Sequence, residues 1–149
     1  MRIALGCDHG GVLLKPDVRE VIESLGHESL DLGTCSTDPV DYVDFAVRVA
    51  QAVAAGEADL GVLMCGTGIG MSIAANKVPG AYAARVEECY SARMARLHNG
   101  ANILCVGGRT VGPEVAREVV RIFLTTEPSP AERHVRRRDK IKALESARS

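Results

Sequence analysis

Residues 60–77, LGVLMCGTGIGMSIAANK, open with an apolar run, Leu60 to Met64, that ends on Cys65. Gly66, Thr67, Gly68, Ile69 and Gly70 follow, and a helix-like run continues to Ala75. A short apolar segment bounded by glycines predicts a buried strand that turns over a glycine-rich loop into a helix. Such a loop leaves backbone N–H groups free to face an anion. The Cys65 thiol stands at the edge of that nest, and Thr67 adds a hydroxyl. Two readings are open at this point. One is a reactive centre; the other is a buried cysteine beside glycines that only let the helix pack closely.

On the N-terminal side, Arg2–Cys7 (RIALGC) predicts a strand and Asp8–Gly11 a turn. Val12–Leu25 has apolar residues at 14, 18, 21, 22 and 25, a helical period closed by Gly26. Pro16 suits the first turn of that helix. His27–Leu32 is a less apolar strand, expected at a sheet edge. A polar loop, Gly33–Val43, leads to Asp44 as the cap of a helix from Phe45 to Ala55.

On the C-terminal side, strands are expected at Ala81–Arg85 and Ile103–Val106, and the glycine-rich helix runs to about Lys77. Helices are expected at Glu87–Leu97, with two acids in its first turn, and at Pro113–Leu124. Ala131–Ala147 is a highly charged last helix. The strand–helix beat sounds five times. It predicts one domain over residues 1–149: a three-layer α/β/α sandwich, Rossmann-like, around a five-stranded parallel sheet with an extra C-terminal helix. That helix has too few apolar positions for its own core to hold it, so it is expected to pack on a partner subunit.

Bulk composition narrows the function. Two Phe, three Tyr and no Trp make stacking on nucleic-acid bases a poor prospect. A net charge of −1 gives no general attraction to polyanions or membrane surfaces. No apolar run reaches membrane-spanning length, and MRIALGCDHG has no signal-peptide layout. Five cysteines without a CxxC pair suggest free thiols in a reducing cytoplasm. The charge is uneven, because Glu132–Arg148 carries seven Lys/Arg against three acids. That tail is open to three readings: a solvated face, a nucleic-acid arm, or a source of phosphate-binding arginines.

In open parallel sheets ligands bind beyond the carboxyl ends of the strands. Those ends carry Asp8 and His9, the 65–70 loop, Arg85, and Gly108 with Arg109; Tyr42 lies in the loop after the second strand, and His98 and Asn99 end a helix. Each has a plain structural alternative. Asp8 suits an Asx turn over Gly10 and Gly11, and His98 suits a helix C-terminus. GxGxxG is absent after the first strand, no GxxxxGK[ST] occurs, and position 71, where a cysteine phosphatase loop needs arginine, is methionine. No His/Cys/Asp group has metal-ligand spacing. A thiol beside backbone donors then suits covalent catalysis or proton transfer.

Seven blocks carry a resemblance: CDHGG (7–11), DLGT (31–34), DYVDFA (41–46), CGTGIGMSIAANKVPG (65–80), YSARMARLHNGANIL (90–104), GGRTVG (107–112) and RHVRRR (133–138). With them the chain resembles, over essentially its whole length, the B-type ribose-5-phosphate isomerases, in the family that also holds allose-6-phosphate and galactose-6-phosphate isomerases. The resemblance implies aldose–ketose isomerisation through a cis-enediolate, without metal or other cofactor. It implies homodimers, in some members paired into tetramers, with active sites shared between subunits and no nucleic-acid or membrane partner. By resemblance Cys65 is the base. Thr67 and the amides of Gly66, Gly68, Ile69 and Gly70 face the enediolate oxygens, and Asp8 and His98 handle ring opening and the hydroxyls. Asn99 and Tyr42 resemble substrate-binding positions. His9, Arg109, Arg133 and Arg137 resemble the phosphate site, some reaching across the dimer, which favours the phosphate reading of the basic tail.

Two features bear on the detail. Gly100 stands where many relatives carry aspartate, which predicts a looser helix end. Retaining Cys65 favours a ribose or allose phosphate over a galactose phosphate as substrate. Cys7, Cys35, Cys89 and Cys105 are expected to be structural or incidental. A non-catalytic sugar-phosphate sensor is the alternative from another class.

Overall fold

The structure, a computed structural model, describes residues 1–146. Five strands alternate with helices: β1 (Arg2–Cys7), α1 (Lys15–Ser24), β2 (Glu28–Asp31), α2 (Tyr42–Ala54), β3 (Leu60–Cys65), α3 (Ile69–Ala75), β4 (Ala83–Arg85), α4 (Cys89–Leu97), β5 (Ile103–Gly107) and α5 (Pro113–Thr125). A last helix, α6 (Glu132–Ser146), follows. Ala147, the expected end of that helix, lies outside the described residues. Every strand pair is parallel, in the order β2-β1-β3-β5-β4. The expected α/β sandwich is therefore what forms, with the poorly apolar β2 at one edge. None of the described helices is long and apolar enough to cross a membrane.

The pleat divides the core into two layers. Ile3, Leu5, Val62, Met64, Leu104 and Val106 face α1, α4 and α5, while Ala4, Leu63, Cys65, Ile103 and Cys105 face α2 and α3. Alternate residues of one strand thus serve opposite faces, as the period of two requires. The central strands are apolar throughout because both of their faces are covered. On the α2 side, Val49 is wedged over two glycines. A Cβ on Gly6 would lie 2.7 Å from Val49, and one on Gly61 2.8 Å from it. The missing side chains let α2 sit down on β1 and β3.

Most boundaries lie within two residues of expectation, β4 for example beginning at Ala83 and not Ala81, and three of the differences have a local cause. The first predicted helix divides into a 3₁₀ turn at Val12–Leu14 and α1, with Pro16 in the first turn of α1. α2 starts at Tyr42, with Asp41 at its N-cap, and Asp44 lies inside its first turn. An acid favours either position electrostatically, so composition alone does not separate them. Glu88 is the N-cap of α4, not a first-turn residue. Its carboxylate accepts the N–H groups of Tyr90 at 2.7 Å and Ser91 at 2.6 Å.

α6 is tied to its own subunit by polar contacts. Glu145 accepts the Gly80 N–H at 3.0 Å and the Tyr82 hydroxyl at 3.1 Å, and Arg138 donates to Ser129 O at 2.8 Å. Its other faces remain exposed, Arg133, Arg136 and Arg137 among them.

Filling the Gly61 contact should be costly. Gly61→Val is expected to lower the unfolding free energy by about 1–3 kcal/mol through overpacking. Adding Val49→Ala should return part of that loss, because the two side chains compete for one space. Urea denaturation midpoints of the two single variants and the double variant measure the coupling, and additive losses would refute it.

Candidate active site

The chain leaves β1 for β2 on one side, while β3 pairs with β1 on the other. The carboxyl ends of β1 and β3 therefore form a topological switch point, where open α/β sheets bind ligands. Asp8 directly follows β1 and Cys65 is the last residue of β3. A cavity of about 460 Å³ opens there, lined by Asp8, Tyr42, Cys65, Gly66, Thr67, Ile69, Gly70 and Ile73.

The backbone of the 65–70 loop is sorted by hydrogen bonding. β5 lies beside β3, so its loop reaches the back of the glycine-rich turn. Gly108 N–H donates to Cys65 O at 2.7 Å and Arg109 N–H to Gly66 O at 3.0 Å. Arg85 Nε donates to Thr67 O at 2.9 Å and pairs with Glu87. Three successive carbonyls are thus engaged. Among the described residues the N–H groups of Gly66 and Thr67 have no protein acceptor. Gly68 N–H donates to Cys65 Sγ at 3.1 Å, and Ile69 N–H to Thr67 Oγ1 at 3.3 Å. Gly68 makes the turn with φ +75°, a conformation that glycine adopts without strain.

Close loop contacts hold this arrangement. A Cβ on Gly10 would lie 2.8 Å from Gly66 N, and one on Gly108 2.4 Å from Gly10 O. A Cβ on Gly70 would lie 2.6 Å from the Tyr42 ring, so the ring lies against the start of α3. Asp8 is 5 % exposed, and its Oδ1 accepts the N–H groups of Gly10 at 2.8 Å and Gly11 at 3.1 Å. The Asx-turn reading of Asp8 is correct, and the same residue also lines the cavity.

His9 Nδ1 accepts the Val40 N–H at 3.2 Å and so ties the 33–41 loop to the switch point. With Nδ1 as acceptor, a neutral ring carries its proton on Nε2. Arg109 is exposed and packs against Gly66, with its guanidinium 3.5 Å from where a Cβ there would be.

A second group of predicted residues gathers elsewhere. His98 and Asn99 follow α4, and the His98 ring stacks on His134 of α6. Asn99 borders a separate hollow with Tyr82, Gly100 and Arg138. Among the described residues, His98, Asn99, Arg133 and Arg137 do not line the Cys65 cavity, and no carboxylate forms an ion pair with Arg133 or Arg137. Gly100, where a looser helix end is expected, is covered by α6. Gly100 has φ +62°, and Arg138 fills the space above it, 2.7 Å from where a Cβ would stand.

The model of a family described as ribose/galactose isomerase matches residues 3–141. The chain belongs to that family. Ribose-5-phosphate isomerase B of Escherichia coli is 44% identical over 148 residues, 99% of each chain. Type B ribose 5-phosphate isomerase from Trypanosoma cruzi has a similar structure, with TM-score 0.96, 48% identity and 99% of each chain covered. Clostridium thermocellum ribose-5-phosphate isomerase B gives TM-score 0.96 at 46% identity over 100% of both chains.

Sequence motifs missed two members of this isomerase's site neighbourhood. Arg85 was visible only as a strand-end cation, although it holds the Thr67 carbonyl. Ile73, exposed at the cavity rim, follows from the helical spacing Ile69–Ile73 but carries no chemical signature.

Two other cysteines, Cys7 and Cys105, are fully buried in the sheet. Burial pushes Cys7 up to about 11 and pushes Cys105 up as well, so both remain neutral thiols in the folded chain. An unfolded Cys7 ionises near its ordinary 9.0, below its folded value. The unfolded chain therefore sheds this proton first, and the stability it represents is lost as pH rises from 9 towards 11. Urea denaturation at pH 8 and pH 10.5 should show this fall, and Cys7→Ala should flatten it. An equal fall in that variant would contradict the assignment.

Proposed function

We propose that this chain interconverts D-ribose 5-phosphate and D-ribulose 5-phosphate through a cis-enediolate, with Cys65 as the base. Family membership already makes it an aldose–ketose isomerase of sugar phosphates. The observation that carries the finer reading is the sorted backbone around Cys65: the carbonyls of residues 65–67 are engaged by protein donors, while the N–H groups of Gly66 and Thr67 have no protein acceptor among the described residues and Cys65, Gly66 and Thr67 line the cavity.

In the aldose-to-ketose direction the sulfur takes the proton from C2. The C2–H electron pair becomes the C1–C2 double bond, and the carbonyl pair moves onto O1. The O2 hydroxyl proton passes to O1, the O2 electron pair forms the C2 ketone, and the double-bond pair takes the proton back from the same sulfur at C1. Negative charge develops on adjacent oxygens, and fixed N–H donors stabilise it without reorganising. The Thr67 hydroxyl and the amides of Gly66, Gly68, Ile69 and Gly70 are assigned as such donors, Gly68 and Ile69 turning from Cys65 Sγ and Thr67 Oγ1 to the substrate oxygens. Asp8 and His98 are assigned to ring opening and hydroxyl handling, and Tyr42 and Asn99 to substrate binding. His9, Arg109, Arg133 and Arg137 are assigned to the phosphate, which guanidinium groups bind bidentately.

The reading includes a homodimer with shared sites. Its support is that His98 and Asn99 do not line the Cys65 cavity of their own chain, and Asn99 borders a separate hollow. Ile69 and Ile73, 50 % and 58 % exposed at the cavity rim, offer an apolar surface for a partner. A second substrate reading, a six-carbon aldose phosphate, is favoured by the family's joint ribose and galactose description. Relative kcat/KM on ribose, allose and galactose phosphates separates them.

Cys65→Ala is expected to abolish turnover of ribose 5-phosphate while circular dichroism and Tm stay near wild type. Retained activity would remove Cys65 as the base, and an inactive wild type across the substrate panel would favour a sensor. Shared sites predict complementation. Cys65→Ala and His98→Ala, each inactive alone, should recover about a quarter of wild-type activity when unfolded together and refolded, because half the dimers then hold one intact site. No recovery would mean that each site is built within one chain.

A further inference from the structure

Histidines that move protons are ordinarily oriented by a hydrogen bond from their second ring nitrogen to a carboxylate or carbonyl. His98 has no such partner. Among the described residues neither of its ring nitrogens makes a hydrogen bond within the chain; only its backbone is bonded, the N–H to Met94 O at 2.9 Å and the carbonyl to Arg138 Nη1 at 3.4 Å. What fixes the ring is a face. The His134 imidazole lies parallel to it, with centroids 4.2 Å apart and planes 7° from coplanar.

His134 is itself anchored. It is 6 % exposed, on a helix whose neighbouring residues are mostly exposed. Its N–H donates to Ala131 O at 2.9 Å, and one turn along α6 Arg138 bonds Ser129 O. His134 and Arg138 are four residues apart and so share one face of α6. That face grips the end of α4 at two points, the ring of His98 and its carbonyl. A face-to-face contact fixes the plane of an imidazole and leaves both of its nitrogens at the edges for other partners.

We infer that His134 is a positioning residue for this isomerase: its ring holds the His98 imidazole in plane, in place of the usual hydrogen-bonded orienting group. The role belongs to the planar face of His134, not to its nitrogens. Burial holds its proton affinity below that of an ordinary histidine, and His98, Arg133, Arg137 and Arg138 add to the lowering, which favours the neutral ring. This inference rests on the reading of His98 as a reacting group.

The experiment compares ring with non-ring replacements in the full-length protein, using ribose 5-phosphate turnover. His134→Leu fills the space without a flat face, whereas His134→Phe restores one. His134→Leu should lower kcat about tenfold, the scale of one lost stacking contact, with KM changed less than about twofold. His134→Phe should recover most of that loss. Thermal unfolding of both variants separates positioning from folding, since both replacements fill the site. His98→Ala serves as the reference. If His98→Ala keeps full activity, the underlying reading of His98 fails. If His98→Ala is inactive while His134→Leu turns over like wild type, or while Phe is as damaging as Leu, the positioning role is overturned.

Discussion

The hydrogen bond from Gly108 N–H to Cys65 O, 2.7 Å long, joins the last strand's loop to the loop that ends β3. With its neighbour from Arg109 to Gly66, it decides which way the glycine-rich backbone faces. A glycine loop has no side chains to hold its peptide planes, so each plane must be held by what its carbonyl meets. Here the carbonyls of residues 65, 66 and 67 meet two amides and the Arg85 guanidinium. The N–H groups of Gly66 and Thr67, in two of those peptide planes, are left without a protein acceptor among the described residues. The strand order makes this possible. Had β4 and not β5 lain beside β3, the GGR loop would lie one strand farther from the Cys65 carbonyl.

The packing of glycine on glycine serves the same end. Gly10, Gly66 and Gly108 come from the loops after three different strands and approach backbone to backbone. Any side chain at Gly10 or Gly108 would push the loops apart and break the bonds that sort the peptide planes. The stability of this corner and its chemical competence therefore depend on the same contacts. Little apolar area is involved, because the core layers lie below, along the strands.

Much of this was legible in the chain itself. β1 was read to its observed bounds, and β3 and β5 to within one residue, because strands covered on both faces appear as short unbroken apolar runs between glycines. The residues at the strand ends could be named for the same reason. The strand order was not legible. Each strand–helix unit looks alike in sequence, and nothing local says that β5 inserts between β3 and β4. The start of α2 was shifted for a different reason: Asp41 and Asp44 are both acceptable near a helix N-terminus. His134 was hidden among arginines, where a histidine reads as one more solvated cation.

α6 shows why the basic tail needed the structure. Its hydrogen bonds and its ring contact with the rest of the chain fall at His134, Arg138 and Glu145. A helix held in this way has no hydrophobic period, so a search for an apolar stripe finds nothing to dock. The arrangement also divides the helix by function. Residues 134 and 138 grip the end of α4, while Arg133 and Arg137, each one position earlier in the turn, point their charge to a neighbouring exposed face. A phosphate held by that pair would therefore lie on the same rigid element that holds the His98 ring. On the proposed assignments of Arg133, Arg137 and His98, one helix would then set the distance between the bound end of the substrate and the end that reacts.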